Sequence, residues 1–314
     1  MEAAYSLGVD VGSISTKGVI LDEAGTVVAD AYLWTEGDPV KAIMRLMQTL
    51  RDQIPPRVSI NSVGTTGSAR RLAGAMLEAS AIKNEITAHA VGTLSRHPNA
   101  RTILEIGGQD AKIILLKDGI VMDYAMNTLC AAGTGAFLSA QAGRLGLDVE
   151  EIGPMALTSQ SPAQLSARCT VFAESDLIHK AQAGHSKVDL VAGLCAAVVA
   201  NYLNNLGKGK QITPPVIFQG GVSKNQGVVA EFERELGCEV SVDADGHLMG
   251  AVGAALLGAA SPNQAVPFSF GLAERAYETR AKPCNGCLNR CEVVHFYRDG
   301  AALDRWGNRC EKLA

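Results

Sequence analysis

The sequence YSLGVDVGSISTKGVIL, residues 5–21, joins two apolar runs through a short turn that contains glycine and polar residues. Apolar runs of this length are typical of buried strands, and glycine lets the backbone turn tightly between them. Residues 22–34 continue the pattern with a turn at residues 23–26 and a further apolar run. The stretch therefore predicts three consecutive strands, with the polar turn DVGSISTK between the first two.

The same plan recurs in TILEIGGQDAKIILLKDGIVMDYAM, residues 102–126. It predicts a strand, a glycine-rich turn, a second strand, a Lys-Asp-Gly hairpin turn and a third strand. Helical patterns follow each copy, at residues 40–53 and 69–79 in the first, and 131–147, 171–183 and 188–206 in the second. Two similar α/β units predict a cleft between them. We expect a first lobe at residues 1–98, a second at 99–261 and a cysteine-rich extension at 262–314.

Composition and charge exclude several classes of protein. The 314 residues are 47% hydrophobic, and the net charge of −4 comes from 28 basic and 32 acidic residues without charged blocks, which disfavours nucleic-acid binding. The N-terminus has no basic region followed by an apolar stretch, so no export signal is predicted. The longest apolar segment, residues 190–206, contains three asparagines and falls short of the ~20 residues of a membrane span. We expect a cytoplasmic protein without a membrane partner, whose eight cysteines are thiols or metal ligands.

The two polar turns have the composition of phosphate-binding loops. In the first, Asp10 ends a strand, and Gly12, Ser13, Thr16 and Lys17 offer amides, hydroxyls and a cation to an anion. In the second, Gly107 and Gly108 form the turn, Gln109 and Asp110 its tip, and Lys112 lies on the outgoing strand. Carboxylates that face one cleft can hold hydrated Mg²⁺ against a triphosphate. The pair of turns therefore predicts a nucleotide site.

A third glycine-containing zone lies in PPVIFQGGVSKN, residues 214–225, followed by DADGHLMGAVGAALLGAA. Gly220, Gly221 and Val222 let the backbone approach a planar ring without side-chain obstruction, and Asn225 is expected at the same site. These three turns, in this order, resemble the superfamily of actin, Hsp70 chaperones and sugar or acetate kinases. The resemblance implies duplicated ribonuclease-H-like domains with ATP in the interlobe cleft, phosphate contacts at residues 10–17 and 107–110, and adenosine near residues 220–222.

Two cysteines are placed directly before predicted helices. Cys130 lies in NTLCAAGTGAF, residues 127–137, and Cys169 in ARCTVFAESDL, residues 167–177. A helix N-terminus has free amide hydrogens and the positive end of the helix dipole, so it favours a thiolate or another anion. Gly133, in the turn after Cys130, is also expected to contact a cofactor. Cys195 and Cys238 are interpreted as small packed apolar residues.

Two thiolates do not complete an iron–sulfur or zinc site, whereas a twofold dimer would supply four. NTLCAAGTG followed by CTVFAES is similar to the CoA-enzyme activases. These are the activators of 2-hydroxyacyl-CoA dehydratases, the ATPase subunits of benzoyl-CoA reductase and the reductases of double-cubane cluster proteins. The resemblance implies a homodimer that shares one [4Fe-4S] cluster through Cys130 and Cys169. One departure from the family pattern is Glu105, where the second phosphate turn more often begins with Asp.

The resemblance also implies a mechanism and partners. ATP hydrolysis would drive one electron from ferredoxin or flavodoxin into a 2-hydroxyacyl-CoA dehydratase, an aromatic CoA reductase or a double-cubane protein. Asp10 and Asp110 would position Mg²⁺, Lys17 and Lys112 would neutralise phosphates, and Gln109 would orient the attacking water. A small-molecule kinase is the second expectation; it needs a carboxylate base, for which Glu174 and Asp176 are candidates. The third is a nucleotide-dependent structural or regulatory protein without a redox centre.

The C-terminal residues form a separate motif. The sequence CNGCLNRC, residues 284–291, contains three cysteines, VVHFYRDGAALDRW predicts a hairpin that turns at Asp299 and Gly300, and a fourth cysteine follows. A segment this short lacks a core of its own, so a bound metal would explain its order. Zinc, an iron–sulfur cluster and an ordinary thiol-containing extension all remain open for Cys284, Cys287, Cys291 and Cys310.

Overall fold

A computed structural model describes residues 4–55, 58–127, 130–261, 268 and 270–310. The chain divides into two compact units: unit 1 comprises Met1–Ala88 and Gly250–Ala314, and unit 2 comprises His89–Met249. These divisions fall at 88 and 249, whereas the sequence analysis placed the lobe boundaries at 98 and 261. Unit 1 therefore includes both ends of the chain.

The described residues form thirteen strands and nine α-helices. The strands are β1 (Ala4–Val11), β2 (Ser15–Leu21), β3 (Val27–Trp34), β4 (Ser59–Thr66), β5 (Ala81–Ile82), β6 (Thr102–Ile106), β7 (Ala111–Lys117), β8 (Ile120–Asn127), β9 (Val216–Gln219), β10 (Val240–Ser241), β11 (Tyr277–Pro283), β12 (Glu292–Arg298) and β13 (Ala301–Trp306). The helices are α1 (Pro39–Arg51), α2 (Arg70–Leu77), α3 (Glu85–Arg96), α4 (Gly135–Leu145), α5 (Val149–Ala156), α6 (Thr170–Gln182), α7 (Lys187–Tyr202), α8 (Gln226–Leu236) and α9 (Met249–Ala259).

Each unit contains a five-stranded mixed sheet with the same topology. The order is β3-β2-β1-β4-β5 in unit 1 and β8-β7-β6-β9-β10 in unit 2. In both sheets the first three strands pair antiparallel, and the fourth strand runs parallel to the first. The duplicated α/β plan and all six strands of the two repeats are thus confirmed. The sequence analysis did not identify α3, α5 and α8.

Local sequence accounts for the helix that covers the first sheet. Asp38 precedes α1 and accepts a 3.0 Å hydrogen bond from the backbone N–H of Lys41, while Pro39 occupies the first turn. Both features favour a helix start. The residues that α1 buries recur at helical spacing: Ala42, Ile43, Leu46, Met47 and Leu50. The helix therefore turns one apolar face towards the core of unit 1.

Close backbone packing explains why α9 belongs to unit 1. A Cβ atom on Gly8 of β1 would collide with the carbonyl oxygen of Ala251, and one on Gly64 of β4 with that of Ala254. Only glycine at these strand positions lets the helix lie directly on the strand backbones. The contact assigns residues 250–259 to the first sheet although they follow the second in sequence.

The C-terminal extension is a three-stranded antiparallel sheet, β11-β12-β13, within unit 1. The predicted hairpin is confirmed, with Asp299 and Gly300 both at positive φ in its turn. Phe296 is fully buried in the core cluster of unit 1, and its ring stacks on that of Tyr277 at 5.7 Å. The segment thus does not depend on a core of its own, because Phe296 packs in the core of unit 1.

One described helical stretch, Lys187–Gly207, has the length and composition of a membrane-crossing helix. It comprises α7 and a π-helical turn, Leu203–Gly207, and 67% of its apolar window is buried. Its apolar side chains, among them Val191, Leu194 and Val198, pack in the core of unit 2. The stretch thus has the packing of a core helix.

Candidate functional site

The polar turn of unit 1 brings an acid and a base together. The ammonium of Lys17 donates a 3.0 Å hydrogen bond to the carboxylate of Asp10, and Asp10 is only 5% exposed. The backbone N–H of Gly12 closes the turn on the carbonyl of Ser15 at 2.9 Å, and Ser13 lies exposed at its tip. Asp10 and Lys17 thus form an ion pair at the turn.

Thr16 does not present its hydroxyl to a ligand, contrary to the sequence prediction. It is fully buried, and its Oγ1 lies 2.9 Å from Oγ1 of Thr35. The Thr35 hydroxyl in turn donates to the carbonyl oxygen of Gly12 at 2.8 Å. Thr16 therefore supports the turn from inside, because a buried hydroxyl with a partner is satisfied within the fold.

The corresponding turn of unit 2 places its residues differently. Gly107 donates its N–H to the carbonyl oxygen of Asp110 at 2.9 Å, and Gln109 is exposed at the tip. Lys112 is 2% exposed, and its ammonium lies 2.9 Å from both Glu105 and Asp110. The charge of Lys112 is therefore shared between two carboxylates inside unit 2.

Glu105 lies at the centre of a buried polar network. Burial raises the pKa of its carboxyl group, an effect that the charge of Lys112 opposes. A Cβ atom on Gly107 would lie 3.2 Å from Glu105 Oε1, and one on Gly220 would lie 2.8 Å from it. The Glu105 carboxylate thus lies close to both the turn at Gly107 and the turn at Gly220. Sequence analysis noted Glu105 only as a departure from the family pattern.

The third glycine turn is shaped by Gly220, whose φ is +87°. A side chain there would collide with the carbonyl oxygen of Ile106, so the position requires glycine. Gly221 is exposed and Val222 is buried. Asn225 accepts the N–H of Val228 at 3.1 Å and caps α8, so its carboxamide oxygen is used within the fold.

The structure places the two motif cysteines in one neighbourhood of unit 2. Sγ of Cys130 lies 3.9 Å from the carbonyl oxygen of Arg168, the residue directly before Cys169. Both cysteines are partly exposed. Cys169 is the N-cap of α6, as predicted, whereas Cys130 precedes a 3-10 turn, Ala131–Gly133, and α4 begins only at Gly135. Thr128 and Leu129 of the first motif lie outside the described residues.

Asn201 holds the two cysteine segments together. Its side-chain amide donates to the carbonyl oxygens of Ala167 at 2.6 Å and Arg168 at 3.4 Å. Its carboxamide oxygen would lie 2.8 Å from a Cβ atom on Gly133, so Gly133 packs closely against Asn201. The signal in the sequence is an asparagine within the apolar segment of residues 190–206, and the structure shows it to be only 1% exposed.

The segment after Cys130 is bonded directly to the phosphate turn. The backbone N–H groups of Gly135 and Ala136 donate to the carbonyl oxygens of Gly107 and Gly108, each at 2.9 Å. A Cβ atom on Gly135 would lie 3.1 Å from both Gly107 O and Val222 Cγ2. The start of α4 therefore packs between the turn at Gly107 and the turn at Gly220. The sequence analysis did not predict this contact.

The other candidate residues have structural partners. Cys195 is 2% exposed, and burial raises the pKa of its thiol to about 12, as expected of a packed cysteine. Glu174 pairs with Arg144 at 2.7 Å, and Asp176 accepts the N–H of Ser166 at 2.8 Å. Both carboxylates considered for a kinase base thus contribute to local packing.

A cavity of about 600 Å³ borders the segment before Cys169, lined in part by Arg168, Asn205 and Lys208. Asn201 contacts residues 167–168 from the core, and the other side of this segment faces the cavity. Within the described ranges, no three His, Cys, Asp or Glu side chains of one chain are grouped so that they could hold a metal ion. Cys130 and Cys169 can therefore supply at most half of a four-ligand set.

The chain is similar to activators of CoA dehydratases. The 2-hydroxyisocaproyl-CoA dehydratase activator of Clostridioides difficile is 36% identical over 256 residues, covering 80% of this chain and 94% of that one. The (R)-2-hydroxyglutaryl-CoA dehydratase activating ATPase of Acidaminococcus fermentans is 33% identical over 254 residues, covering 80% and 96%. The solved structure of the activator of the 2-hydroxyisocaproyl-CoA dehydratase from Clostridium difficile with bound ADPNP has a TM-score of 0.73 at 34% identity, covering 81% and 94%.

The duplicated ribonuclease-H-like fold of the actin, Hsp70 and sugar-kinase superfamily is confirmed. A family model matches residues 7–258, which include both phosphate turns, the third glycine turn and both cysteine motifs. The chain belongs to the BadF/BadG/BcrA/BcrD ATPase family.

Proposed function

We propose that this chain is an ATP-dependent activator that couples ATP hydrolysis to one-electron transfer. Its acceptor would be a 2-hydroxyacyl-CoA dehydratase, an aromatic CoA reductase or a double-cubane protein, and its donor a reduced ferredoxin or flavodoxin. One electron leaves the donor and enters the acceptor, while ATP and water yield ADP and phosphate. Relatives named as activators of CoA dehydratases, and as a benzoyl-CoA reductase subunit, support this class of acceptor.

The proximity of Cys130 to the residue before Cys169 is the observation that carries the proposal. The 3.9 Å distance from Cys130 Sγ to Arg168 O brings the two partly exposed cysteines to one surface. Two such pairs, one from each chain of a homodimer, fit the four-thiolate set of a [4Fe-4S] cluster. A cluster bound there would accept and donate a single electron.

Exposed apolar residues beside Cys169 support a homodimer. Val171 and Phe172, in the first turn of α6, are 65% and 63% exposed. Apolar side chains at such a position favour a contact that removes them from water. An isologous contact would cover the same pair on both chains while it brings four cysteines together.

The hydrogen bonds from α4 to the phosphate turn support coupling within unit 2. Any shift of Gly107 and Gly108 on binding or release of the γ-phosphate is transmitted to Gly135 and Ala136 through two 2.9 Å hydrogen bonds. These residues follow the Cys130 segment, which in turn contacts the Cys169 segment through Asn201. This chain of contacts connects ATP hydrolysis to the position of the cysteine sulfurs.

We assign nucleotide roles on the same basis. Asp10 and Asp110 position Mg²⁺ through water or directly, Lys17 contacts phosphate oxygens, and Gln109 orients the attacking water. The backbone at Gly220 and Gly221 contacts adenosine. The free state of all eight cysteines is typical of the reducing cytoplasm, where we place the protein.

Anaerobic purification tests the redox assignment. We expect a brown protein with about four iron atoms and four acid-labile sulfides per dimer. Cys130→Ala and Cys169→Ala should each lose this iron, whereas Cys238→Ala, in the same unit, should retain it. Full iron content in either motif variant would overturn the assignment.

The dimer and the ATPase roles have separate tests. Phe172→Asp should convert the dimer to a monomer in sedimentation and lose iron, whereas Leu157→Asp, at a site 51% exposed directly after α5, should do neither. Gln109→Ala should slow ATP hydrolysis at least tenfold with unchanged ATP affinity. An unchanged hydrolysis rate would remove Gln109 from the mechanism.

A further inference from the structure

The four C-terminal cysteines lie outside the family match, which ends at residue 258, and the strand topology brings them to one end of the small sheet. Cys284 directly follows β11 and Cys291 directly precedes β12, with Cys287 in the connection between them. β13 runs antiparallel to β12, and therefore ends beside the start of β12. A side chain on Gly307 would collide with the carbonyl oxygen of Glu292, which places the chain just before Cys310 at the same end.

We propose that Cys284, Cys287, Cys291 and Cys310 form a tetrathiolate site for one zinc ion. Neither the phosphate turns nor Cys130 and Cys169 contribute to this site, so it is independent of the proposed redox function. Zinc bound by four cysteines is a structural site with closed coordination.

The short distance between Cys284 and Cys291 favours a single zinc ion over an iron–sulfur cluster. The backbone N–H of Cys284 donates to the carbonyl oxygen of Cys291 at 2.7 Å, which continues the pairing of Pro283 with Glu292. Directly facing residues on antiparallel strands have Cα atoms about 4.5–5.5 Å apart. Ligand sulfurs on tetrahedral zinc lie about 3.8 Å from each other, given Zn–S bonds of about 2.3 Å. A cubane cluster binds each thiolate through a different iron atom, so its four ligand sulfurs lie farther from each other than those of a zinc site.

A backbone amide is already directed at one of the sulfurs. The N–H of Gly286 donates to Sγ of Cys284 at 3.4 Å. Such donation stabilises the thiolate, which is the form that binds metal ions. The sulfurs themselves are not gathered around a common point, and rotation about the Cα–Cβ bonds between staggered positions is the movement that would bring them together.

The side chains of the cysteine-containing connection lie at the surface. Residues 285–290 are all exposed, and Leu288 is completely exposed, so no side chain of this segment packs in a core. All four cysteines are free thiols, so no disulfide joins the two limbs. A zinc ion would supply this cross-link, whereas the sheet itself is held by Phe296 in the core of unit 1.

Metal analysis of the full-length protein tests the proposal. We expect one zinc per chain in the purified wild-type protein, and loss of at least 80% of it in Cys284→Ser and Cys310→Ser. Cys238→Ser, a half-buried cysteine of unit 2, is the matched control and should retain zinc. Because Phe296 holds the sheet in the core of unit 1, both tail variants should keep the wild-type circular dichroism.

Cobalt gives a second readout that does not depend on metal retained during purification. Protein stripped of zinc and loaded with Co²⁺ should show the charge-transfer absorption of cobalt bound by thiolates, and Cys287→Ser and Cys291→Ser should weaken it. The measurement is made in a Cys130→Ala and Cys169→Ala background, so that the proposed cluster ligands do not contribute. Zinc content equal in tail variants and control, absence of zinc, or iron and sulfide lost with the tail cysteines would each overturn the proposal.

Discussion

The ammonium of Lys112 lies 2.9 Å from Oε2 of Glu105 and 2.9 Å from Oδ1 of Asp110, so one buried cation joins strand β6 to the tip of the phosphate turn. The hydroxyl of Tyr202 donates to the carbonyl oxygen of Lys112 at 2.6 Å from the opposite side. Burial raises the pKa of Tyr202, which keeps its hydroxyl protonated as a donor. The turn is thus positioned by charges and hydrogen bonds on its inner side.

Lys112→Met should therefore destabilise the protein strongly. Removal of the cation leaves Glu105 buried without its counter-charge, and breaking a buried ion pair in this way costs about 3–5 kcal/mol. The free energy of unfolding, from urea denaturation, measures the loss. Lys117→Met, at the exposed end of the same strand, should change it by no more than about 0.5 kcal/mol. Equal effects of the two substitutions would contradict the assigned role of Lys112.

Gly220→Ala should impair the third turn more than alanine at another glycine of positive φ. Gly237 lies in the left-handed helical region, with φ 66° and ψ 24°, and a Cβ atom there meets open space. Gly220, with φ 87° and ψ 174°, has a backbone conformation that essentially only glycine adopts, and a Cβ atom there also meets Ile106 O and Glu105. Gly237→Ala should cost about 1 kcal/mol of unfolding free energy for the left-handed backbone. Gly220→Ala should cost at least about 1 kcal/mol more and weaken ATP binding, measured by calorimetry. Identical losses in the two variants would exclude the steric explanation.

Asn201→Ala should separate the cysteine segments without disturbing the nucleotide turns. The carbonyl oxygens of Ala167 and Arg168 lose a buried donor, so the segment before Cys169 is no longer fixed to α7. If the proposed function is correct, iron retained after gel filtration should fall several-fold while ATP affinity stays within twofold. Asn204→Ala, an exposed amide in the π-helical turn, should retain its iron. Full iron retention in Asn201→Ala would show that the segment needs no such support.

Asp245→Asn should give a destabilisation that depends on pH. The hydrogen-bonded guanidinium of Arg96 lowers the pKa of Asp245 from 3.8, and the Nη2–Oδ2 distance is 2.6 Å. A lowered pKa in the folded state adds stability that is present above the unfolded pKa and is lost as pH falls through the folded pKa. The variant should therefore be about 1 kcal/mol less stable at pH 7, given the partial exposure of the pair, and approach the wild type near pH 3.

Denaturation at both pH values, with Glu239→Gln as the control at an exposed carboxylate, measures the effect. The control should match the wild type within about 0.5 kcal/mol at both pH values. A destabilisation in Asp245→Asn that is independent of pH would indicate a packing effect in place of the ion pair.

The repeated strands and the cysteine motifs were predictable because their signals are local. Apolar periodicity and glycine turns identify the strands of residues 5–34 and 102–126, and Cys169 lies at a helix start as its neighbours indicate. The inward orientation of Lys112 and Thr16 was not predictable in this way. Both lie on strands next to polar turns, and only the tertiary partners Glu105 and Thr35 decide which way their polar atoms face.

Contacts between distant segments explain the remaining differences. Asn201 acts through carbonyl oxygens more than thirty positions earlier, and Gly135 bonds to Gly107 across the whole of β7 and β8. The assignment of α9 to unit 1 depends on Gly8 in β1 and Gly64 in β4, which lie far upstream in the sequence. No spacing within a single element carries such information.

The burial of Phe296 also bears on how the protein can be cut for experiments. A chain shortened to residue 261, to match the extent of its relatives, would remove Phe296 and Leu272 from the same apolar cluster that contains Leu50 and Ile60. The newly uncovered surface would favour aggregation during expression. We therefore expect residues 1–261 alone to express poorly, and the C-terminal sheet should be retained when the chain is trimmed.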